Sequence, residues 1–329
     1  MDRPSPLMEF LNRYKVLVFL GLLLLVLSIF FVPEFLSSRN LLNVLQQMAI
    51  VGVITLGMHF VIVTAGIDLS VGSTLQVTTV TFALFLASET SLLIALVASL
   101  SVGALIGLIN GLGIVLLKVQ PFVITLGTLA IGQGVALSLS DGQQVTYEKD
   151  SELLRFLGRG GVGDLSGQFI VFVALAIVAW AVLRYIPFGR YVYAVGGNAE
   201  TARLSGINVN RVLLTVYVIS GLCAALAGIM TTATLSVGVP TAGALANLDA
   251  IAAVVIGGTS LMGGKGNIWG SVAGAFILAT IANLIVLVGA GPYQAYIVRG
   301  TVIIAAVALA SVEFGRLRRQ AKLSESTVA

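Results

Sequence analysis

The sequence predicts an all-α, polytopic membrane protein of about ten transmembrane helices, with both termini on the cytoplasmic side. Three observations carry that prediction. Apolar residues make up 58% of the 329 residues, and a helix needs only roughly 20 of them to cross a bilayer. Charged residues contribute 10%, against roughly 25% in soluble domains, too few to cover a water-facing surface on so apolar a chain. The basic residues also fall on alternate segments between the apolar runs, as the positive-inside rule requires. The mean hydropathy of +1.05 agrees, and soluble single-domain enzymes are excluded.

The first apolar run, Val16 to Val32, follows Arg13 and Lys15 and so has the outline of a signal peptide. Pro33, Glu34 and Phe35 follow it in place of a small-residue cleavage site, which predicts a retained span. Further apolar runs lie at about 41–63, 70–88, 91–117, 121–139, 168–186, 211–233, 248–262, 268–288 and 294–312. With the N-terminus inside, the inner segments hold 13 of the 18 basic residues and the outer ones four (Arg39, Lys149, Arg155 and Arg159). Arg299 is left within the last span, where it either snorkels outward or pairs with Asp249. An inside N-terminus and an inside C-terminus require an even number of spans, and ten satisfies that. The whole chain, 1–329, is then one transmembrane domain. It has an N-terminal segment 1–15, an outer loop 139–167, an inner loop 187–210 and an inner tail 313–329.

Scarce residue types exclude other chemistry. The single cysteine, Cys223, allows no internal disulfide and no Cys-clustered metal site, and the single histidine, His59, has no companion ligand. His59 reads as a packed or hydrogen-bonded residue, and neither a catalytic set nor a metal site is expected. The net charge of +4 loses its nucleic-acid meaning once the basic residues are placed on inner loops. The 37 glycines point to close helix packing. Gly103, Gly107 and Gly111 recur every four residues, as do Gly270 and Gly274, so each set marks one helix face, for packing within the chain in preference to a subunit interface.

Two glycine-rich breaks interrupt the apolar pattern. Near 64–73, Gly66, Asp68, Ser70 and Gly72 break helix-compatible sequence. Asp68 is costly in a span unless it faces protein or water. It can cap the following helix, the favoured reading, or offer acceptors to a polar solute in a path. Asn110 and Asn283 lie within spans, where path lining and interhelical hydrogen bonding are equally good readings. The second break, Gly257 to Gly266, imitates a phosphate-binding loop. Thr259 stands where the first glycine should be, and Gly266 replaces the hydroxyl residue after Lys265. No nucleotide site is expected there.

The inner loop is the most informative segment. In Gly197-Asn198-Ala199-Glu200-Thr201-Ala202-Arg203-Leu204-Ser205-Gly206, Asn198 is a good N-cap. Glu200 and Arg203 complement the two ends of the helix dipole, and Gly206 suits a left-handed stop. One short helix of about two turns is predicted, either a grip for a partner's groove or a tidy surface turn. The outer loop carries Asp141, Glu148, Asp150, Glu152 and Asp164, and reads equally as a docking surface or a plain solvated loop.

The run Glu200-Thr201-Ala202-x-x-x-Gly206 resembles the coupling loop of bacterial ATP-binding-cassette importer permeases, with Thr201 in place of an alanine. Three blocks, Phe188 to Val209, Thr64 to Ser73 and Leu248 to Gly266, resemble the ribose-type sugar permeases over about residues 35–312. The resemblance implies the importer permease fold and a multi-pass place in a bacterial inner membrane. It implies a second permease subunit (a copy or a paralogue), a periplasmic sugar-binding protein and a cytoplasmic ATPase. ATP and Mg would sit on that ATPase and no cofactor on this chain, which is a transport subunit and not an enzyme. ATPase coupling then falls to Gly197, Asn198, Glu200, Arg203, Leu204, Ser205 and Gly206. Gly66, Asp68, Ser70, Asn110 and Asn283 become the candidate path residues. Ribose is the expected sugar, with another pentose, a hexose or a furanose-like signal as the alternative. An ion-coupled secondary transporter would need more ionisable residues in its spans than Asp68, His59 and Arg299. An intramembrane enzyme would need a partner for Asp68 or His59 at matching depth.

Overall fold

The computed structural model describes residues 32–289 without interruption, together with 21, 22, 26, 291, 293, 294, 296–298, 300, 301, 304 and 305. The predicted spans at 16–32 and 294–312 lie largely outside the described residues, and Arg299 lies wholly outside them. In chain order the helices are α1 (Ser38–Val63), α2 (Val71–Ala87), α3 (Leu92–Leu117), α4 (Pro121–Leu139), α5 (Glu152–Leu157), α6 (Gly167–Tyr185), α7 (Pro187–Gly197), α8 (Ala199–Leu204), α9 (Val209–Leu235), α10 (Ala246–Ile256) and α11 (Ile268–Leu287). Among the described residues, α1, α3, α4, α6, α9 and α11 are long and apolar enough to cross a membrane.

Their starts follow from local chemistry. Ser91 and Ser166 each accept the N–H three residues on (Ile94 and Phe169), and Pro121 opens α4 where a missing N–H costs nothing. Helix α1 lies at the centre, packed by α6, α9, α10 and α11, while α9 also packs on α2 and α3. The glycine faces make these approaches close. A Cβ on Gly107 of α3 would stand 2.2 Å from the Tyr217 carbonyl oxygen of α9, and one on Gly274 of α11 would stand 2.0 Å from that of Ala253 in α10. Both stripes therefore pack within the chain. The outward faces of α3 and α4 remain apolar, with Leu93, Leu105, Leu116, Phe122 and Ile131 exposed. In water such a surface is an association hazard, whereas lipid accepts it.

Three expectations are corrected. The span expected at 248–262 is α10, only 11 residues long and so about 17 Å, well short of a roughly 30 Å hydrocarbon core. Its apolar run continues in sequence, but Gly257 ends the helix and Gly258 turns the chain at φ +82°. The inner loop 187–210 holds two helices in place of one, because α7 precedes the predicted α8.

The outer loop is neither plain nor loose. Its strand β1 (Val145–Thr146) pairs antiparallel with β4 (Val237–Gly238), and β2 (Gly161–Val162) with β3 (Leu165–Ser166). Gln46 Nε2 donates to the Gly158 carbonyl at 3.1 Å, Arg159 Nε to that of Thr234 at 3.1 Å and Tyr147 Oη to that of Thr232 at 3.2 Å. Those bonds pin the loop to the N-terminal half of α1 and the C-terminal end of α9. On its surface Arg155 pairs with Asp150, and its guanidinium hydrogen bonds hold that carboxyl below the usual aspartate range.

Candidate functional site

The tip of the inner loop is built as its sequence dictates. Asn198 takes an extended backbone and accepts the Thr201 N–H on its side-chain oxygen at 2.9 Å, capping α8. Its own N–H reaches back to the Ala194 carbonyl at 3.1 Å, so one residue closes α7 and opens α8. Arg203 donates to Glu200 at 2.8 Å across one turn, with both side chains exposed. Gly206, at φ +83°, lets the Ile207 N–H return to the Ala202 carbonyl at 3.0 Å. Leu204 projects 82% exposed from this otherwise polar knob.

Helix α7 seats the knob on the membrane helices. Its buried face is Gly189, Val192, Val195 and Gly196, and Phe188 stacks on Phe60 of α1 with centroids 6.4 Å apart. At Gly196 the approach is backbone on backbone: a Cβ there would lie 1.7 Å from the Val63 carbonyl and 2.7 Å from the Gly264 nitrogen. Gly264 N–H donates to that same Val63 carbonyl at 2.9 Å, and Tyr193 Oη donates to the Gly266 carbonyl at 3.1 Å. The two glycine-rich breaks thus meet each other and the base of the inner loop at one point. The Gly257–Gly266 segment follows a helix, not the strand that precedes a phosphate-binding loop.

Three of the candidate path residues, Asp68, Ser70 and Asn110, join one buried network. Asp68 accepts from the Ser70 N–H at 3.0 Å, Ser70 Oγ at 2.6 Å and Ser220 Oγ at 2.7 Å. Asn110 Nδ2 donates to Ser70 Oγ at 2.8 Å, and Thr128 Oγ1 donates to Asn110 Oδ1 at 2.6 Å. The carboxylate, two residues before the N-cap Ser70, holds that residue's own N–H, so it forms an Asx-type turn, and α2 has no side-chain cap bond in place of the capping its sequence position suggested. The chain linking α1 to α2 is thereby tied to α3, α4 and α9. Gly66 lies against the Tyr217 hydroxyl, which donates to the Ile67 carbonyl at 3.4 Å. Asn283 is elsewhere, in a reciprocal amide pair with Asn40 at 2.9 Å in both directions. His59 Nδ1 meets Ser271 Oγ at 2.8 Å and so joins α1 to α11, the packed role its sequence position suggested.

One feature escaped sequence reasoning. A cavity of about 510 Å³ lies between α1, α2, α9, α10 and α11, lined by Gln47, Ile54, Leu75, Thr231, Asp249 and Leu278 among others. None of Gly66, Asp68, Ser70, Asn110 and Asn283 lines it. Its depth follows from helix rise. On α1 the lining residues 47–54 stand 9–16 residues above Val63, about 14–24 Å from the glycine junction. On α11 the lining residues 278–282 stand 10–14 residues above Ile268, about 15–21 Å up. The signal available in the sequence was the pair of glycine-rich breaks beside α2 and α10, both of which reach the cavity; interrupted helices mark central sites in transporters.

The comparisons with known proteins agree with this architecture. The ribose import permease protein of Haemophilus influenzae is 39% identical over 292 residues, covering 88% of this chain and 90% of its own length. The ribose import permease protein of Bacillus subtilis is 41% identical, covering 88% and 91%. The galactose/methyl galactoside import permease protein of Escherichia coli is 37% identical, covering 94% and 99%. No solved structure matches the chain. The family described as "Branched-chain amino acid transport system / permease component" matches residues 40–307, from the first turn of α1 to beyond α11, and this multi-pass membrane protein belongs to it.

Proposed function

We propose that the chain is the permease subunit of an ATP-binding-cassette importer that carries a monosaccharide, ribose first, across a bacterial inner membrane. It would work beside a second permease subunit, either a copy or a paralogue. A periplasmic binding protein would deliver the sugar, and a cytoplasmic ATPase would bind ATP and Mg and supply the drive. A multi-pass fold with the 187–210 loop on the cytoplasmic side completes the reading. The observation that carries it is α8: a doubly capped helix whose tip exposes Leu204 between Arg203 and Ser205. An exposed leucine on a polar knob suits the groove of a partner, and the relatives' names supply sugar import as the purpose. The family description speaks of branched-chain amino acids. The relatives above are named for sugars, which favours a sugar here.

In this scheme nucleotide-driven closure of the ATPases carries α8 as a rigid body. The motion passes through Asn198 into α7 and from Gly196 into both breaks, which turns the path between its two openings. The test is reconstitution with the ATPase and binding protein, followed by sugar-stimulated ATP hydrolysis over pentoses, hexoses and leucine. Stimulation by ribose, lost when 200–206 is scrambled, is the expected result. Stimulation by another sugar alone moves the substrate, and stimulation by leucine alone removes sugar import. Failure to associate with any ATPase would sink the reading and return the ion-coupled alternative.

A further inference from the structure

We infer that the buried network around Asp68 is a joint that ties movement of the inner loop to α3, α4 and α9, with Ser70, Asn110, Thr128 and Ser220 as its positioning residues. This rests on the importer reading above and adds where the stroke goes once it reaches the first break. Three features of the chain between Val63 and Val71 lead to it.

The first is a link without slack. Asp68 follows Val63, against which Gly196 of α7 packs, by only five residues. The end of α1 is closed by two bonds, from the Ala65 N–H to the Ile62 carbonyl at 2.9 Å and from the Gly66 N–H to the Val61 carbonyl at 3.0 Å. Ala65 lies in the left-handed region at φ +62°, which an alanine keeps only where its surroundings hold it. Those surroundings are close: a Cβ on Gly263 would stand 2.8 Å from the Ala65 Cβ, and one on Gly66 would stand 2.6 Å from the Tyr217 hydroxyl.

The second is the hold on the far side of that link, which comes from three other helices. The Ile67 carbonyl accepts from Thr125 Oγ1 of α4 at 3.2 Å and from Tyr217 Oη of α9 at 3.4 Å. Asp68 accepts from Ser220 of α9, Ser70 accepts from Asn110 of α3, and Asn110 accepts from Thr128 of α4. Asp68, Ser70, Asn110 and Ser220 are each at most 1% exposed, so these bonds act in a low dielectric and are stronger than their like at a surface.

The third is the kind of force each contact bears. Packed peptides such as Gly196 on Val63 resist compression, but a contact alone cannot pull. Hydrogen bonds resist separation as well. A transport cycle has a return stroke, so its joint needs ties that hold in both directions. The bond from the Gly264 N–H to the Val63 carbonyl is one such tie at the junction, and the Asp68 network supplies the others. Glycine packing already brings α3 and α9 together, and a buried carboxylate is a costly way to repeat that. What the network adds is a hold on the break itself.

The test uses the full complex in proteoliposomes. Wild type is assayed with D-ribose and D-galactose, and the sugar it carries is then counted per ATP hydrolysed. Ser220→Ala cuts the tie to α9, Thr128→Val cuts the tie to α4 at nearly constant volume, and Thr128→Ser keeps the hydroxyl. Expected for Ser220→Ala and Thr128→Val is a fall of about threefold to tenfold in sugar per ATP, the scale of one lost buried hydrogen bond. Complex yield and unstimulated hydrolysis should stay at wild-type values, and Thr128→Ser should keep the wild-type ratio. Because the ties hold in both directions, stimulation of hydrolysis by loaded binding protein should fall in the same two variants.

A merely structural role gives another pattern, in which yield, hydrolysis and uptake fall together and sugar per ATP stays constant. That pattern, or unchanged ratios in both variants, overturns the joint and leaves the importer reading standing. A ratio for Thr128→Ser as low as that for Thr128→Val overturns it too, since the hydroxyl would then not be the tie. Wild type that carries neither sugar defeats the importer reading, and the joint falls with it.

Discussion

A single glycine in this chain either governs a helix crossing or governs nothing, and the surroundings decide which. Gly107 sits where α3 and α9 touch, and Gly134 sits on α4 with nothing within 4 Å of a Cβ built there. Gly107→Ala forces a methyl onto the Tyr217 carbonyl and should cost about 1–3 kcal/mol, as overpacking does. Gly134→Ala should gain about 0.5–1 kcal/mol, because only the entropy of a helical glycine is removed. Unfolding of the two variants in one detergent checks both signs, and a loss at Gly134 would contradict the open environment. At the surface, Asp150 is held acidic by Arg155, so its contribution to the loop is complete above the unfolded aspartate range of about 4 and fades as pH falls through its lower folded value. Protection of the amides of α5 against hydrogen exchange, corrected for intrinsic rates, should stay flat from pH 8 to 5 and drop only below that. A drop already complete by pH 5 would remove the pair from the account.

Helix α8 has only six residues, too few to persist on propensity, so its ends hold it. Asn198→Ala removes the bond to Thr201 and should cost about 1 kcal/mol, and Gly206→Val forces a β-branched residue to φ +83°. Both variants should reach the membrane in normal amounts, yet co-purify less of the ATPase and transport several-fold more slowly. Full transport with either change would show that the tip does not have to be rigid. This helix was legible because its signals are local: a cap, two complementary charges and a stopping glycine within nine residues. Helix α7 was not, since its buried face is glycine and valine and its glycine pair reads as loop until Val63 and Gly264 are seen beneath it. The length of α10 was misread for a related reason. Hydropathy counts apolar residues, whereas Gly257 and Gly258 end the helix through backbone geometry that adds little to the count.

Across the whole molecule, the apolar pattern located eight helices among the described residues and placed the breaks between them, because burial in lipid and protein demands length and composition alone. What it did not reveal depends on several elements at once. The partners of Asp68 come from α2 and α9, and the cavity has walls from five helices, so neither is written in any one segment. The orientation is testable at this scale. In a Cys223→Ala chain, Gly163→Cys should react with an impermeant maleimide only from the periplasmic face, and Ser205→Cys only from the cytoplasmic face. Labelling of both from one side would overturn the charge-based topology. The junction at Gly196 has a further consequence. Its contacts with Val63 and Gly264 are peptide against peptide, with no side chain between them to bend or change rotamer. A push on α8 therefore arrives at the breaks without backlash, as in a gear train cut to zero clearance. The same fit leaves no room for wear, since even one added carbon at position 196 must disengage the teeth.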